Sequence, residues 1–246
     1  VLERARAAER AEARNAELNV ELEQRVNART TDLEIVSQSV AHDVRNGLNT
    51  LSLQKALIAR TIDDERIATP LRRIDAAIDE VARVIERVQT YTNVAFSELE
   101  REEVDMEQLA LSICKDLAIA ASPTVHVAAL PRCLAQPVLA EIALHNLVSN
   151  ALKFSSESNA PRVDISAEDE GGPVIYVVRD NGPGFDDDGA DEVFKPFVRL
   201  NGGRGLGLGL AIVERVVRLH GGEVWVETAP DAGAAFKFHF GEGSVV

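Results

Sequence analysis

Apolar positions recur at helical spacing through the first hundred residues. Residues 1–36 contain neither Gly nor Pro, are rich in Ala, Glu and Arg, and carry a sparse apolar stripe that ends at Leu33. This pattern predicts a coiled-coil linker helix over residues 1–32, with a charged, solvated helix as the alternative. From Ile67 to Val88 the apolar residues recur at spacings of 4, 3, 4, 3, 4 and 3, which is a sustained heptad pattern.

These helical stretches predict an antiparallel hairpin over residues 33–98, with its turn at about residues 61–70. Two antiparallel helices cannot bury their apolar seams alone, whereas two hairpins from two chains would close a four-helix bundle. We therefore predict a homodimer.

On the first helix of this hairpin, one histidine faces outward. At about 100° per residue, Val40 and Val44 each lie about 160° around the axis from His42. Asp43 is the immediate neighbour of His42, and Asn46 lies one turn further along the same outer face. An imidazole, a carboxylate and an amide thus share one exposed surface.

From about residue 100 the pattern changes to short apolar or alternating runs, which predict strands. They lie at 125–128, 162–166, 173–179, 223–227 and 235–240. A short strand entry and a helix over residues 104–117 precede them, and helices at 137–152 and 208–220 lie between them. Residues 186–204 lack periodicity and predict a mobile loop. We expect a mixed helix-and-sheet domain over residues 103–242.

Composition narrows the classes of function. The net charge is −14 at pH 7, which argues against nucleic acid as a partner, because phosphate binding needs a basic face. Two cysteines without a metal-binding spacing argue against a disulfide framework or a zinc site. No apolar run is long enough for a membrane span. We expect a cytoplasmic fragment of a longer protein.

Three local patterns carry candidate chemistry in the second half of the chain. Asn146, Asn150 and Lys153 share one helical face at spacings of 4 and 3. An amide oxygen is a neutral, hard ligand suited to Mg²⁺, and a lysine counters phosphate charge. The other two patterns are glycine-rich and follow in the chain.

The first glycine pattern, with Asp180, Gly182 and Gly184, follows a predicted strand. In the second pattern, three glycines open a helix, where backbone N–H groups favour anions, although its spacing is not that of a P-loop. The second run is Gly205, Leu206, Gly207, Leu208 and Gly209.

Together with His42, the order and spacing of these patterns resemble the core of sensor histidine kinases. Residues 33–98 resemble the dimerisation and phosphotransfer domain, and residues 103–242 resemble the catalytic ATP-binding domain, the Bergerat or GHKL fold. The resemblance implies an α+β chain: a coiled-coil helix, a hairpin that forms a dimeric four-helix bundle, and an α/β two-layer sandwich.

The resemblance also implies roles for individual residues. Asn150 would hold Mg²⁺, Lys153 would meet the phosphates of ATP, Phe154 would lie along the adenine, and Asp180 would read its amino group. The glycine runs would cradle the nucleotide, and Phe194 would anchor the mobile loop over it.

In the hairpin, the resemblance makes His42 the phosphoryl acceptor and Asp43 the group that orients or takes its other ring proton. Asn46 would orient a water that dephosphorylates a response regulator receiver domain, the expected partner. The hydrolysing relatives carry a glutamate where this chain has Asn146, which favours transfer to a side chain over ATP hydrolysis.

Two departures from the family pattern and two alternatives stay open. Gly47 stands where a proline is usual, and Leu206 stands where a hydroxyl residue is common. The first alternative is a histidine phosphotransfer protein that does not use ATP, and the second is an ATP-hydrolysing conformational machine.

Overall fold

The computed structural model describes residues 44, 46–53, 56, 58, 65–94, 99–117, 124–169, 171–186, 189–199 and 206–241. The chain divides into two compact units, Val1–Gln89 and Thr90–Val246. The predicted linker helix over residues 1–32 lies outside the described residues.

The described part of the first unit is helical. It consists of the helical residues 44, 46–53, 56 and 58, of which 46–53 are here called α1, and most of α2, Glu65–Val94. Helix α2 begins at Glu65 and contains Pro70, so the second half of the predicted turn at about residues 61–70 is helical. The heptad positions Ile74 and Val81 are 45 % and 40 % exposed in the single chain. Whether a second chain covers them remains a prediction.

The second unit is a mixed helix-and-sheet domain, as predicted. Its helices are α3 (Met106–Leu117), α4 (Pro137–Ser155) and α5 (Gly209–Leu219). Its strands are β1 (Glu102–Val104), β2 (Thr124–Val127), β3 (Cys133–Ala135), β4 (Arg162–Glu168), β5 (Ile175–Asp180), β6 (Glu223–Thr228) and β7 (Ala234–His239).

Five of these strands form one sheet in the order β2-β4-β5-β7-β6. The β2–β4 pair is parallel and the other three pairs are antiparallel. The remaining two strands, β1 and β3, form a separate antiparallel pair. Strand β3 escaped the sequence analysis because three residues are too few to show an alternation.

One face of the sheet is covered by helices and the other carries charge. Helix α4 buries a continuous apolar stripe, including Leu139, Ala143 and Leu147, as a helix packed on a sheet must. On the opposite face, the ammonium of Lys237 lies between Glu168 at 3.1 Å and Glu227 at 2.8 Å. Within the described residues, no helix is both long enough and apolar enough to cross a membrane.

Candidate functional site

The two asparagines of α4 lie against the start of α5. The side-chain amide of Asn146 donates a hydrogen bond to the Ile142 carbonyl at 2.8 Å, which fixes the orientation of its oxygen. A Cβ added to Gly209 would lie 2.9 Å from that oxygen and 3.9 Å from Nδ2 of Asn150. A larger residue would displace the Asn146 amide, so the glycine permits this close approach of the asparagine face and the second glycine pattern.

The N-terminus of α5 has no side-chain cap for its first backbone N–H groups. Its N-cap is Leu208, whose side chain makes no capping hydrogen bond. The first N–H groups of a helix have no partner within the helix, so an uncapped end favours an anion. Leu208 itself is 1 % exposed, whereas Leu206 and Gly207 are half-buried. Gly205 lies outside the described residues.

Asp180 is a buried carboxylate at the end of β5. It is 3 % exposed, and its Oδ1 accepts a hydrogen bond from the Gly182 N–H at 2.8 Å. Burial raises the pKa of Asp180 to about 6, and hydrogen bonds from the Gly182 and Ala234 backbones offset part of that rise. A buried carboxylate of this kind suits a neutral hydrogen-bond donor such as an exocyclic amine.

Gly182 joins this carboxylate to the end of α4. A Cβ at position 182 would lie 2.8 Å from the Phe154 carbonyl oxygen and 2.8 Å from Oδ1 of Asp180. Only a glycine lets the two backbones approach so closely. At the same end of α4, Nζ of Lys153 lies 4.6 Å from the centroid of the Phe154 ring. Lys153, Phe154 and Asp180 are thus brought together at the C-terminal end of α4.

Two residues that the sequence analysis passed over hold the loop after β5 in place. Oδ1 of Asn181 accepts from the Arg162 N–H at 2.8 Å, and its Nδ2 donates to the Ala160 carbonyl at 2.7 Å. Oγ1 of Thr228 accepts from the Phe185 N–H at 3.1 Å and donates to a carbonyl of the β6–β7 turn at 3.0 Å. Asn181 stood in the motif but was given no role, and nothing local distinguishes Thr228 from other strand-end threonines.

After Phe185, the segment between the two glycine patterns contains one buried and one exposed phenylalanine. Phe194 is 6 % exposed, and its ring packs edge-on against Phe236 with centroids 6.3 Å apart. Phe197 is 64 % exposed and has a φ of 65°. Its N–H donates to the Gly207 carbonyl at 3.0 Å, which ties this segment to the second glycine pattern.

The hairpin residues are described only in part. His42 and Asp43 lie outside the described residues. Asn46 is an exposed residue of α1, and its carbonyl accepts a hydrogen bond from Oγ1 of Thr50 at 2.9 Å. The roles of these three residues remain predictions.

Residues 135–243 match the family model for the histidine kinase-, DNA gyrase B- and HSP90-like ATPases. The methanogenesis regulatory histidine kinase FilI of Methanothrix harundinacea is 28 % identical over 87 % of this chain and 25 % of its own length. The phytochrome-like protein Cph1 of Synechocystis is 25 % identical over 92 % of the chain and 31 % of its own. The chain thus spans about a quarter to a third of these relatives.

Two solved structures are also similar to this chain. Full-length ShkA in complex with AMPPNP has a TM-score of 0.70 and 26 % identity, and the match covers 85 % of this chain and 46 % of that one. The mycobacterial sensor histidine kinase MprB has a TM-score of 0.51 and 27 % identity, covering 59 % and 99 % respectively. Residues 135–243 therefore match the family of histidine kinase-, DNA gyrase B- and HSP90-like ATPases, and the predicted resemblance of the chain to the sensor histidine kinase core is confirmed.

Proposed function

We propose that the chain is the kinase core of a sensor histidine kinase, which binds Mg-ATP in the second unit and phosphorylates His42. The observation that carries this proposal is the meeting of the asparagine face of α4 with the uncapped N-terminus of α5 at Gly209. An anion-binding helix end beside neutral oxygen ligands suits a metal-bound polyphosphate.

The adenine end of the site is supported by the chemistry of Asp180. This carboxylate is buried, and its backbone partners leave acceptor capacity because an ionised carboxylate has about four lone-pair sites. An adenine amino group would supply a donor. The ring of Phe154 and the ammonium of Lys153 lie at the same end of α4, where they suit the base and the phosphates.

The donor set also fits Mg²⁺, which prefers oxygen ligands and keeps several waters. Asn150 would supply the protein ligand, and the bound ion would neutralise charge on the phosphates. Asn146 lies one turn earlier and cannot act as a general base, because its amide has no basic lone pair to accept a proton at neutral pH. A water molecule in this site therefore lacks an activating group at that position, which favours transfer to a side chain.

The transfer step follows from imidazole chemistry. A ring nitrogen of His42 forms a bond to the γ-phosphorus, the bond from phosphorus to the bridging oxygen breaks, and ADP leaves with that oxygen. Asp43 takes or orients the proton on the other ring nitrogen, so the attacking nitrogen stays nucleophilic. The remaining rate enhancement comes from positioning and charge neutralisation.

Two partners belong to the same proposal. A second copy of the chain would cover the apolar positions of α2, such as Ile74 and Val81, in a four-helix bundle. A receiver domain would then accept the phosphoryl group on an aspartate, with cleavage of the P–N bond of His42. Asn46 would orient a water molecule that hydrolyses the phosphoryl group from the phosphorylated receiver domain.

Incubation of the 246-residue chain with radiolabelled Mg-ATP tests the proposal. We expect phosphate on the protein that is labile in acid and stable in base, as a phosphoramidate is. His42→Gln should abolish the label, and Asn150→Ala should lower it at least tenfold through lost Mg-ATP binding.

His126→Gln is the matched control, because this histidine is exposed on β2, and it should keep full label. Nucleotide binding without any label, or label that survives His42→Gln, would contradict the proposal. Absence of nucleotide binding would favour the phosphotransfer protein that does not use ATP.

A further inference from the structure

One buried histidine of the second unit has no part in the site described above. His220 is the C-cap of α5 and is 1 % exposed. Its ring packs on Phe240 with centroids 4.7 Å apart. A histidine that is fully enclosed and hydrogen-bonded through both ring nitrogens has a fixed orientation and a fixed protonation state.

The hydrogen-bond partners of His220 define its tautomer. Nε2 lies 3.0 Å from the backbone nitrogen of Gln136, which can only donate, so Nε2 is the acceptor and carries no proton. Nδ1 lies 2.7 Å from the Val216 carbonyl oxygen, which can only accept, so Nδ1 carries the proton. The neutral ring therefore links α5 to the chain just before α4.

Gln136 is the N-cap of α4. Its side-chain oxygen accepts a hydrogen bond from the Leu139 N–H at 2.6 Å, which completes the first turn of the helix. The His220 ring thus contacts the start of α4, whereas the nucleotide residues Asn146 and Asn150 lie further along it. The opposite end of α5, at Gly209, lies against Asn146.

Helices α4 and α5 are therefore antiparallel, and both ends of α5 contact α4, His220 at the start of α4 and Gly209 near its middle. Helix α5 has 11 residues, so its two ends are about 16 Å apart at 1.5 Å per residue. Sliding α5 along α4 would move its N-terminal donors relative to the asparagine face. The hydrogen bond from Gln136 to Nε2 opposes that movement at the end remote from the nucleotide.

We propose that His220 is a positioning residue of the ATP site, which sets the axial position of α5 against α4 and so aligns Gly209 with Asn146 and Asn150. This inference rests on the proposed function, because it concerns the same nucleotide site. His220 acts through the two helices and does not touch the nucleotide.

The surroundings of His220 keep its ring neutral. Burial lowers the pKa of His220, the hydrogen bond to Val216 opposes that effect, and the nearby positive charge of Arg101 lowers the pKa further. The Arg101 guanidinium donates to the His220 carbonyl at 2.8 Å. The other contacts, Gln136 and Phe240, carry no charge. A proton on Nε2 would face the Gln136 N–H donor to donor and break this link.

The first test compares three variants of the 246-residue chain. His220→Leu removes both ring hydrogen bonds, His220→Gln restores an acceptor on a side chain of similar reach, and His126→Gln is the exposed control. One net hydrogen bond is about 1 kcal/mol, which corresponds to roughly fivefold in an equilibrium constant. We expect His220→Leu to raise the Kd for Mg-AMPPNP about three- to tenfold, and His220→Gln to recover most of that loss.

A second pair of variants removes the same hydrogen bond from the other side without altering His220. Gln136 has a φ of −77°, which a proline can adopt. Gln136→Pro deletes the N–H donor and the side-chain cap, whereas Gln136→Ala deletes the cap alone. Only the difference between these two reports the bond to Nε2, and it should again be three- to tenfold in Kd.

Chemical shifts of the protein without nucleotide separate positioning from general stability. We expect the side-chain amides of Asn146 and Asn150 and the amide of Gly209 to shift in His220→Leu, while resonances of the β4–β5 pair stay unchanged. The KM for ATP should rise with kcat changed less than twofold.

Unchanged amide shifts together with unchanged Kd in His220→Leu and Gln136→Pro would overturn the inference, even if both variants were less stable. The shift measurement needs no ATP, so it stands independently of the proposed function. Failure of the wild-type chain to bind nucleotide would refute that function and leave the alignment of the helices testable by shifts alone.

Discussion

The substitution Asp180→Asn should stabilise the folded protein while it weakens nucleotide binding. Asp180 is 3 % exposed, and burial raises its pKa from the ordinary 3.8 to about 6. The difference of roughly 2 pKa units corresponds to about 3 kcal/mol, since one unit is about 1.4 kcal/mol. This free energy is the cost of keeping the ionised carboxylate buried at neutral pH.

The sign of the pH dependence of stability follows from proton binding by Asp180 in the folded and unfolded states. Between pH 3.8 and about 6 the folded chain holds a proton on Asp180 that the unfolded chain has lost, so stability falls as the pH rises through this window. Above about pH 6 the full penalty is present. Asparagine escapes this penalty and keeps one oxygen, whose two lone pairs can accept from the Gly182 and Ala234 N–H groups. Its unpaired NH₂ costs about 1 kcal/mol, so the expected gain at pH 7.5 is about 2 kcal/mol.

Urea unfolding of both proteins at pH 7.5 and pH 5 measures this difference. The stability gap should shrink by about 1.4 kcal/mol at pH 5, where folded Asp180 is mostly protonated. Asp116→Asn, at an exposed site in the last turn of α3, is the control and should change stability by less than about 0.5 kcal/mol at both pH values. Calorimetry should show at least tenfold weaker Mg-AMPPNP binding by Asp180→Asn. An Asp180→Asn variant that is less stable than the wild type at pH 7.5, or a stability difference that does not change with pH, would refute the reasoning.

Two further substitutions separate the site from the scaffold. Gly209→Ala places a Cβ 2.9 Å from Oδ1 of Asn146 and should weaken Mg-AMPPNP binding at least tenfold in calorimetry. The control is Gly172→Ala, whose Cβ would have no atom within 4 Å and which should leave binding unchanged. Lys237→Met leaves two facing carboxylates without their cation and should lower the free energy of unfolding in urea by about 1 kcal/mol with binding unaltered. Lys195→Met, at an exposed surface pair, should leave the free energy of unfolding unchanged. Equal effects within either pair would contradict the respective assignment.

Much of the second unit could be predicted because its signals are local. Helix α4 was predicted at 137–152 and runs from Pro137 to Ser155, and α5 was predicted at 208–220 and runs from Gly209 to Leu219. Apolar periodicity reports such elements directly. The candidate residues of α4 were visible for the same reason, since spacings of 3 and 4 place side chains on one face without any tertiary information.

The contacts that complete the site join segments far apart in the chain, and the sequence has no local record of them. The Ala234 N–H that reaches Asp180 comes from a strand more than fifty residues later. Nε2 of His220 and the Gln136 N–H are separated by 84 positions. The N–H groups of Ala234 and Gln136 are ordinary backbone donors, so no residue type marks them in the sequence. Only the sheet order and the antiparallel pairing of α4 and α5 bring them together.

The distribution of unfavourable local features supports the assignment of the site. The buried carboxylate of Asp180, the exposed Phe197 with its φ of 65° and the uncapped start of α5 at Leu208 all border the glycine patterns. Such strain persists only where the surrounding structure enforces it, and it concentrates at functional sites. Away from these patterns, the ammonium of Lys237 is engaged by two carboxylates, whereas Nδ1 of His239 on β7 is buried without a hydrogen-bond partner among the described residues. A nucleotide with its metal would supply a hydrogen-bond donor to the Asp180 carboxylate and an anion to the N-terminus of α5. Its binding would relieve both unfavourable features, and the free energy regained would add to its affinity.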